Sequence, residues 1–241
     1  MSARLLFPTL IVLAACAGNV AAEPVIHLIY EERPPYLVSK GDQVDGLVGT
    51  PANTAFRTAG VPFVWELGSQ SRLLHLLREN IVPVCGPSLF KTAERMAFAK
   101  FTKPIYRDHP IVALVRRQFV FGTRSAVADV LAAPGLRLLL RTQYSYGPQI
   151  DALLKAINPA TISSPLHNVQ LVDLLQADRA DMLFAAQEEA ELLLRDEAAS
   201  HGAVRMLRFS DAVPGQERHI ACSRNVPDEV IERLNKGIAF K

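Results

Sequence analysis

The sequence predicts an α/β fold, and three observations carry that reading. Apolar runs of strand length alternate with longer segments whose apolar residues recur at helical spacing. One run, Leu136 to Leu140, is apolar throughout, the pattern of a strand covered on both faces in a parallel sheet. In addition, 241 residues with 49% apolar side chains can build one large or two small domains around a sizeable core.

The elements follow in order. Val25 to Ile29 is the first apolar run and reads as a strand that leaves through Tyr30-Glu31-Glu32-Arg33-Pro34-Pro35-Tyr36. Gly46 and Leu47 open a helix expected to reach Ala59, before Gly60, and Phe63 to Leu67 is the next strand. Ser69 to Asn80 places Leu73, Leu74, Leu76 and Leu77 on one side of a helix, with Ser69 or Ser71 as its N-cap. Ile81 to Cys85 and Ile111 to Val115 are strands, and Ser125 to Ala133 is a short helix ended by Pro134-Gly135. Thr161 to Ser163, a helix from Asn168 to Asp178 and the strand Asp181 to Phe184 repeat the alternation. Glu188 to Ala199 is a helix with acidic residues early, where the helix dipole favours them. Val204 to Leu207 is a last strand of this series, and Asp228 to Lys236 a closing helix.

Composition narrows the function. The formal charge is +2, and removing Arg4 with a leader leaves +1, so no basic footprint for nucleic acid exists. Residues 1–22 read as a signal peptide: Arg4 is the positive start, Leu5 to Ala15 the apolar stretch, and Val20-Ala21-Ala22 the small-residue cleavage site. Leu13-Ala14-Ala15-Cys16 resembles a bacterial lipoprotein box, which would instead lipidate Cys16. Beyond residue 22 no apolar run of about 18 residues occurs, so no membrane span is expected. None of the common catalytic or phosphate-loop motifs occurs, and His27, His75, His109, His167, His201 and His219 lack metal-ligand spacing. No catalytic residue, metal or cofactor is therefore expected.

Lys91-Thr92-Ala93-Glu94-Arg95, followed by Phe101-Thr102-Lys103-Pro104-Ile105-Tyr106, puts an arginine at a set distance before an aromatic-proline turn. These segments resemble the Thr-x-Glu-Arg and Phe-Ser-x-Pro-Tyr signature of the family 3 extracellular solute-binding proteins. The similarity covers roughly residues 25 to 236. It implies a two-lobed type II periplasmic-binding-protein fold, each lobe a mostly parallel sheet flanked by helices, joined by two hinge crossovers. Lobe one would take residues 23–112 plus 216–241 and lobe two residues 113–215.

The resemblance also implies a ligand set. From lobe one it brings Arg95, Tyr36, Ser88 and Thr92, with Arg95 clamping a solute carboxylate and Tyr36 offering an aromatic wall. A guanidinium suits that task because its rigid fork of donors matches a carboxylate bidentately and stays charged. From lobe two it brings Thr142, Gln143, Tyr144 and Ser145, in the turn before a helix N-terminus, where open α/β sheets bind ligands. Amino-acid-binding members carry an aspartate for the ligand's ammonium at a position that here falls near Ala186, with Gln187 or Glu188 one or two residues later.

After a leader is removed only Cys85 and Cys222 remain. In the family's topology their strands lie side by side, which implies a disulfide or close thiol pair; two small buried apolar residues is the alternative. The chain stops at Lys241, short of the helical tail of many members, so either that tail is dispensable or this subgroup lacks it. The function implied is a periplasmic, monomeric binding protein for a small solute, serving an ABC permease. A few relatives of the fold are periplasmic dehydratases of cyclohexadienyl compounds, for which Glu31, Glu32 and Arg33 could supply acid-base groups. A detached ligand-sensor module is a third possibility.

Overall fold

A computed structural model describes residues 24–123, 125–198, 202–211 and 214–240. The expected leader and the alternative at Cys16 lie outside these residues. Along the chain, β1 (Ile26–Tyr30) leads through a hairpin of β2 (Val38–Lys40) and β3 (Gln43–Asp45) into α1 (Gly46–Ala59). β4 (Phe63–Leu67), α2 (Gln70–Glu79), β5 (Val84–Phe90), α3 (Ala93–Met96) and β6 (Ala99–Arg107) follow. Then come β7 (Ile111–Arg116), α4 (Val127–Leu131), β8 (Leu138–Arg141), α5 (Pro148–Ile157), β9 (Thr161–Ser164), α6 (Asn168–Gln176), β10 (Met182–Ala186), α7 (Gln187–Ala198) and β11 (Val204–Leu207). The chain closes with β12 (Glu217–Ser223) and α8 (Asp228–Gly237).

Local chemistry sets the ends of these elements. The Ser69 hydroxyl accepts the Arg72 N–H at 3.2 Å, so Ser69 and not Ser71 caps α2. Leu73, Leu74 and Leu77 are buried and Leu76 half-buried beneath this helix. α1 stops on Gly60 at φ 63°, a left-handed conformation that glycine adopts without a steric penalty.

Two five-stranded sheets result, in the orders β4-β1-β5-β12-β6 and β11-β7-β10-β8-β9. In the first, β4, β1 and β5 are parallel, and β12 runs antiparallel to both β5 and β6. In the second, β10, β8 and β9 are parallel, and β7 runs against β10 and β11. Four strands of each sheet thus point one way and one points back. In both lobes the reversed strand is the one that enters from a crossover.

Each sheet has a core on either face. Alternate residues of β7 separate cleanly: Ile111, Ala113 and Val115 join Val127, Val130 and Ile150 on the α4–α5 side. Val112 and Leu114 join Leu171, Leu175 and Leu193 on the α6–α7 side. In the other lobe Ile26 and Leu28 pack with Phe56 of α1 and Leu234 of α8, while Ile29 turns to Leu73, Leu74 and Leu77 of α2. This two-sided burial explains the apolar continuity of the strands.

Three sequence expectations change. Phe101 to Tyr106 is not a turn but the body of β6, an edge strand of the first sheet. Pro104 fits there because its missing N–H falls on an edge strand beside a register irregularity in the pairing with β12. The third strand begins at Val84 and continues to Phe90, past the expected end at Cys85. Ile111 and Val112, assigned by the resemblance to lobe one, pair with Ala186 and Ala185 in the second sheet.

Cys85 and Cys222 stand directly opposite each other in the β5–β12 pair and form a disulfide, S–S 2.03 Å and Cα–Cα 4.0 Å. The two crossovers also touch: Asp108 N–H donates to the Gln216 carbonyl at 3.0 Å. A Cβ on Gly215 would lie 1.7 Å from the Asp108 carbonyl oxygen, so only glycine permits this approach. Among the described residues no helix is long and apolar enough to cross a membrane.

Candidate functional site

At the crossovers, side chains of both lobes close around a cavity of about 30 Å³, room for about two water molecules. Four of its wall residues are arginines: Arg33, Arg95, Arg141 and Arg218. Their partners decide what the site can bind.

Arg218, buried in β12, is spent within the hinge. Its Nε and Nη2 donate to the two oxygens of buried Asp108 at 2.5 and 2.6 Å, and its Nη1 to the Ser88 hydroxyl at 2.8 Å. Its guanidinium also stacks over the Tyr36 ring, 4.1 Å from the centroid. Ser88 sits in β5 at φ 82°, a left-handed conformation costly for a residue with a Cβ. Burial works against the Arg218 charge, yet Asp108 lifts its pKa above the ordinary value.

Arg33 and Arg141 reach across the cleft. From the loop after β1, Arg33 Nε and Nη2 donate to Glu189 of α7 at 2.8 and 2.6 Å. Glu189 is 1% exposed. Burial alone would raise its carboxyl, but the charge of Arg33 and their hydrogen bonds outweigh burial and hold it below its ordinary value. In the opposite sense, Arg141 Nη2 at the end of β8 donates to Glu31 at 2.7 Å, and the Tyr144 hydroxyl donates to the other Glu31 oxygen at 2.8 Å. His167 Nδ1 lies 3.2 Å from the same carboxylate. Tyr106 adds a bond to Glu188 at 2.9 Å. Burial pushes the Tyr144 and Tyr146 hydroxyls up to about 12, so both stay protonated at neutral pH.

Arg95 is different. Thr92 caps α3 by accepting the Arg95 N–H at 3.3 Å, which turns the buried Arg95 side chain to the cleft wall. There Nη1 donates to the Phe90 carbonyl at 3.1 Å and Nη2 makes a long contact of 3.5 Å with the Gln143 carbonyl. Among the described residues no carboxylate forms an ion pair with Arg95. Burial pulls its pKa below the ordinary guanidinium value, and the more distant acidic groups do not offset that. Two buried polar atoms have no protein hydrogen-bond partner among the described residues, Arg141 Nε and the Tyr36 hydroxyl.

The turn after β8 is held from α5: Asp151 accepts the Ser145 hydroxyl at 2.5 Å and the Tyr146 N–H at 2.8 Å. Of the residues expected at the site, Arg95, Ser88, Tyr144 and Ser145 line the cavity. Thr92 acts as the α3 cap, and the Thr142 hydroxyl turns to Ser163 at 3.1 Å. Gln143 contributes only its carbonyl, which accepts from Gln70 at 3.1 Å, and Gln187 bonds Glu191 at 2.7 Å. Tyr36 does not present a wall to the cavity. It is fully buried in the first core, edge-on to Tyr106 and stacked under Arg33 and Arg218, because those two guanidiniums cover its ring. Sequence reasoning overlooked Arg141, Arg218, Asp108 and Glu189. The acidic first turn of α7 was the one local signal available for Glu189.

No protein-family model matches the sequence, and no curated protein does either. Solved structures do. An ancestral arginine-binding protein bound to arginine superposes with a TM-score of 0.70 at 13% identity, covering 89% of this chain and 90% of that one. The periplasmic VFT2 domain of Bordetella pertussis BvgS gives 0.68 at 19% identity, covering 89% and 87%. The ligand-binding core of GluR0 from Nostoc punctiforme, in complex with L-glutamate, gives 0.63 at 18%, covering 89% and 91%. The fold is the two-lobed type II periplasmic-binding fold. In this fold the cavity between the sheets is the interlobe cleft, and the four arginines converge there. Among the described residues no group of three or more His, Cys, Asp or Glu side chains is arranged to hold a metal.

Proposed function

We propose that this chain is an extracytoplasmic solute-binding protein whose lobes close on a small carboxylate-bearing solute, with Arg95 taking the carboxylate. One observation carries the reading. Three of the four cleft arginines already hold a carboxylate, and Arg95, buried at the same wall, holds none among the described residues. A buried cation without an anion is costly, and a ligand carboxylate would relieve that cost. Ser88, Tyr144 and Ser145 are the proposed hydroxyl partners on the two sides. A ligand touching both lobes favours the closed state by its differential affinity, the general requirement for hinge closure.

The secretory pattern of residues 1–22 supports a periplasmic location, with lipid anchoring at Cys16 as the alternative. A monomer that delivers its solute to an ABC permease is the proposed setting. The likeness to BvgS and to a histidine kinase sensor domain supports a second reading, in which the same cleft serves sensing rather than transport. The test is a thermal-shift screen of organic acids, since a ligand that binds only the folded state raises the melting temperature. Titration calorimetry of Arg95→Ala with any hit should then show binding weakened by about 2 to 5 kcal/mol. Unchanged affinity in this variant would remove Arg95 from the site. Incubation with prephenate or arogenate separates binder from enzyme: turnover above about 1 per second would favour the dehydratase reading.

A further inference from the structure

We infer that the solute is a small organic acid without an ammonium group, because Asp108, the acid in the cavity wall, is held by Arg218, and Glu189 is held by Arg33. The inference rests on the carboxylate-binding reading of Arg95. An α-amino acid presents a carboxylate and an ammonium a few ångströms apart, so its site favours a carboxylate not already neutralised by a cation beside the anion clamp. Among the described residues that line the cavity the one acid is Asp108, and Arg218 already neutralises it.

Three acids around the cavity are held by arginines and two by hydroxyl and amide donors. Both oxygens of Glu189 accept from Arg33 at 2.8 and 2.6 Å, and both oxygens of Asp108 accept from Arg218. Glu31 is divided between Arg141 and Tyr144, and Asp151 between Ser145 and the Tyr146 amide. Glu188 takes the Tyr106 hydroxyl and the His109 amide. Unpaired donors remain in the cavity wall: Arg95 lacks an anion among the described residues, and Arg141 Nε lacks a protein partner among them.

Arg33 is also held where it is. Its guanidinium lies between two aromatic rings, 5.1 Å from the Tyr36 centroid on its own lobe and 5.3 Å from that of Tyr144 on the other. A ligand ammonium would have to displace a bidentate, stacked guanidinium from a carboxylate that is 1% exposed. For as long as the lobes stay closed, truncating such a pair leaves a buried charge alone, so within the closed cleft the exchange disfavours amines. The cleft thereby selects against amino acids while keeping a clamp for their deaminated counterparts.

The test uses matched acids on the purified protein: pyruvate against alanine, 2-oxoglutarate against glutamate, and succinate as a dicarboxylate. Calorimetry and thermal shift should find at least one ammonium-free acid that binds, with its amino counterpart at least tenfold weaker. Arg33→Ala frees Glu189 and should shift that preference toward the amino acid by at least tenfold. Arg33→Gln, which keeps bulk without charge, serves if the alanine variant does not fold. An amino acid binding the wild-type protein as well as its 2-oxo counterpart would overturn this inference and leave the Arg95 reading standing. No shift with any of the acids would overturn both.

Discussion

The two lobes share one strand plan but fasten it with different bonds. Each has a reversed strand entering from a crossover, and each ties that strand down at the end far from the hinge. In lobe one the tie is covalent, Cys222 of β12 to Cys85 of β5. In lobe two it is ionic. Asp181, 1% exposed and just ahead of β10, accepts Arg116 Nη2 from the end of β7 at 2.8 Å, and the backbone N–H and Nε of Arg137 at 2.9 Å each. Burial would raise the Asp181 carboxyl, but the hydrogen bonds from Arg137 and Arg116 prevail and pull it down to about 2. The same arginine–carboxylate chemistry holds one lobe together internally and, at Arg33–Glu189 and Arg141–Glu31, bridges the two lobes. A pair within a lobe is a staple; a pair across the cleft is a latch.

That contrast can be broken from several sides. Asp181→Ala should have the largest effect, a loss of roughly 3 to 5 kcal/mol of folding stability, because it removes the buried anion of Arg116 and Arg137 and leaves them only the exposed Asp178. Chemical denaturation measures it, and a loss below about 1 kcal/mol would mean the cluster contributes no more than a surface pair. The double variant Cys85→Ser, Cys222→Ser should cost about 2 to 4 kcal/mol, since the bridge closes a long loop. Reductant should lower the melting temperature of the wild-type protein and leave that of the double variant unchanged.

Acid distinguishes the two fasteners further. A carboxyl whose folded pKa is depressed contributes stability that is fully present above its unfolded value, near 3.9, and is lost as pH falls through the folded value. For Asp181 that window runs from about 4 down to about 2. Acid titration of stability should therefore be steeper in the wild-type protein than in Asp181→Ala, whereas loss of the disulfide should not alter the slope. The smallest change in stability is expected at the latch. Opening the cleft returns Glu189 to water, so Arg33→Ala should cost about 0 to 1 kcal/mol, the range of an exposed pair. Its signature is shape, a larger radius of gyration in X-ray scattering. An unchanged radius would show that the cleft stays shut without this pair.

The sequence by itself determined what depends on neighbours along the chain. Strand and helix alternation, a serine cap at Ser69 or Ser71, the stop at Gly60 and the limits of Val204–Leu207 were legible because periodicity and capping act over a few residues. The resemblance pointed to Arg95, Ser88, Tyr144 and Ser145, and all four line the cavity. Tertiary structure decided the rest. Whether Pro104 marks a turn or sits on an edge depends on β12, more than a hundred positions later, and Tyr36 is core because two distant guanidiniums cover it. The charges of the cleft are the plainest case. Arg33 meets Glu189 across 156 positions, and Arg218 meets Asp108 and Arg141 meets Glu31 across 110 each. Which arginine remains without an anion is settled only when the lobes close, because the strength of an ion pair depends on distance and burial, and neither is written locally in the chain.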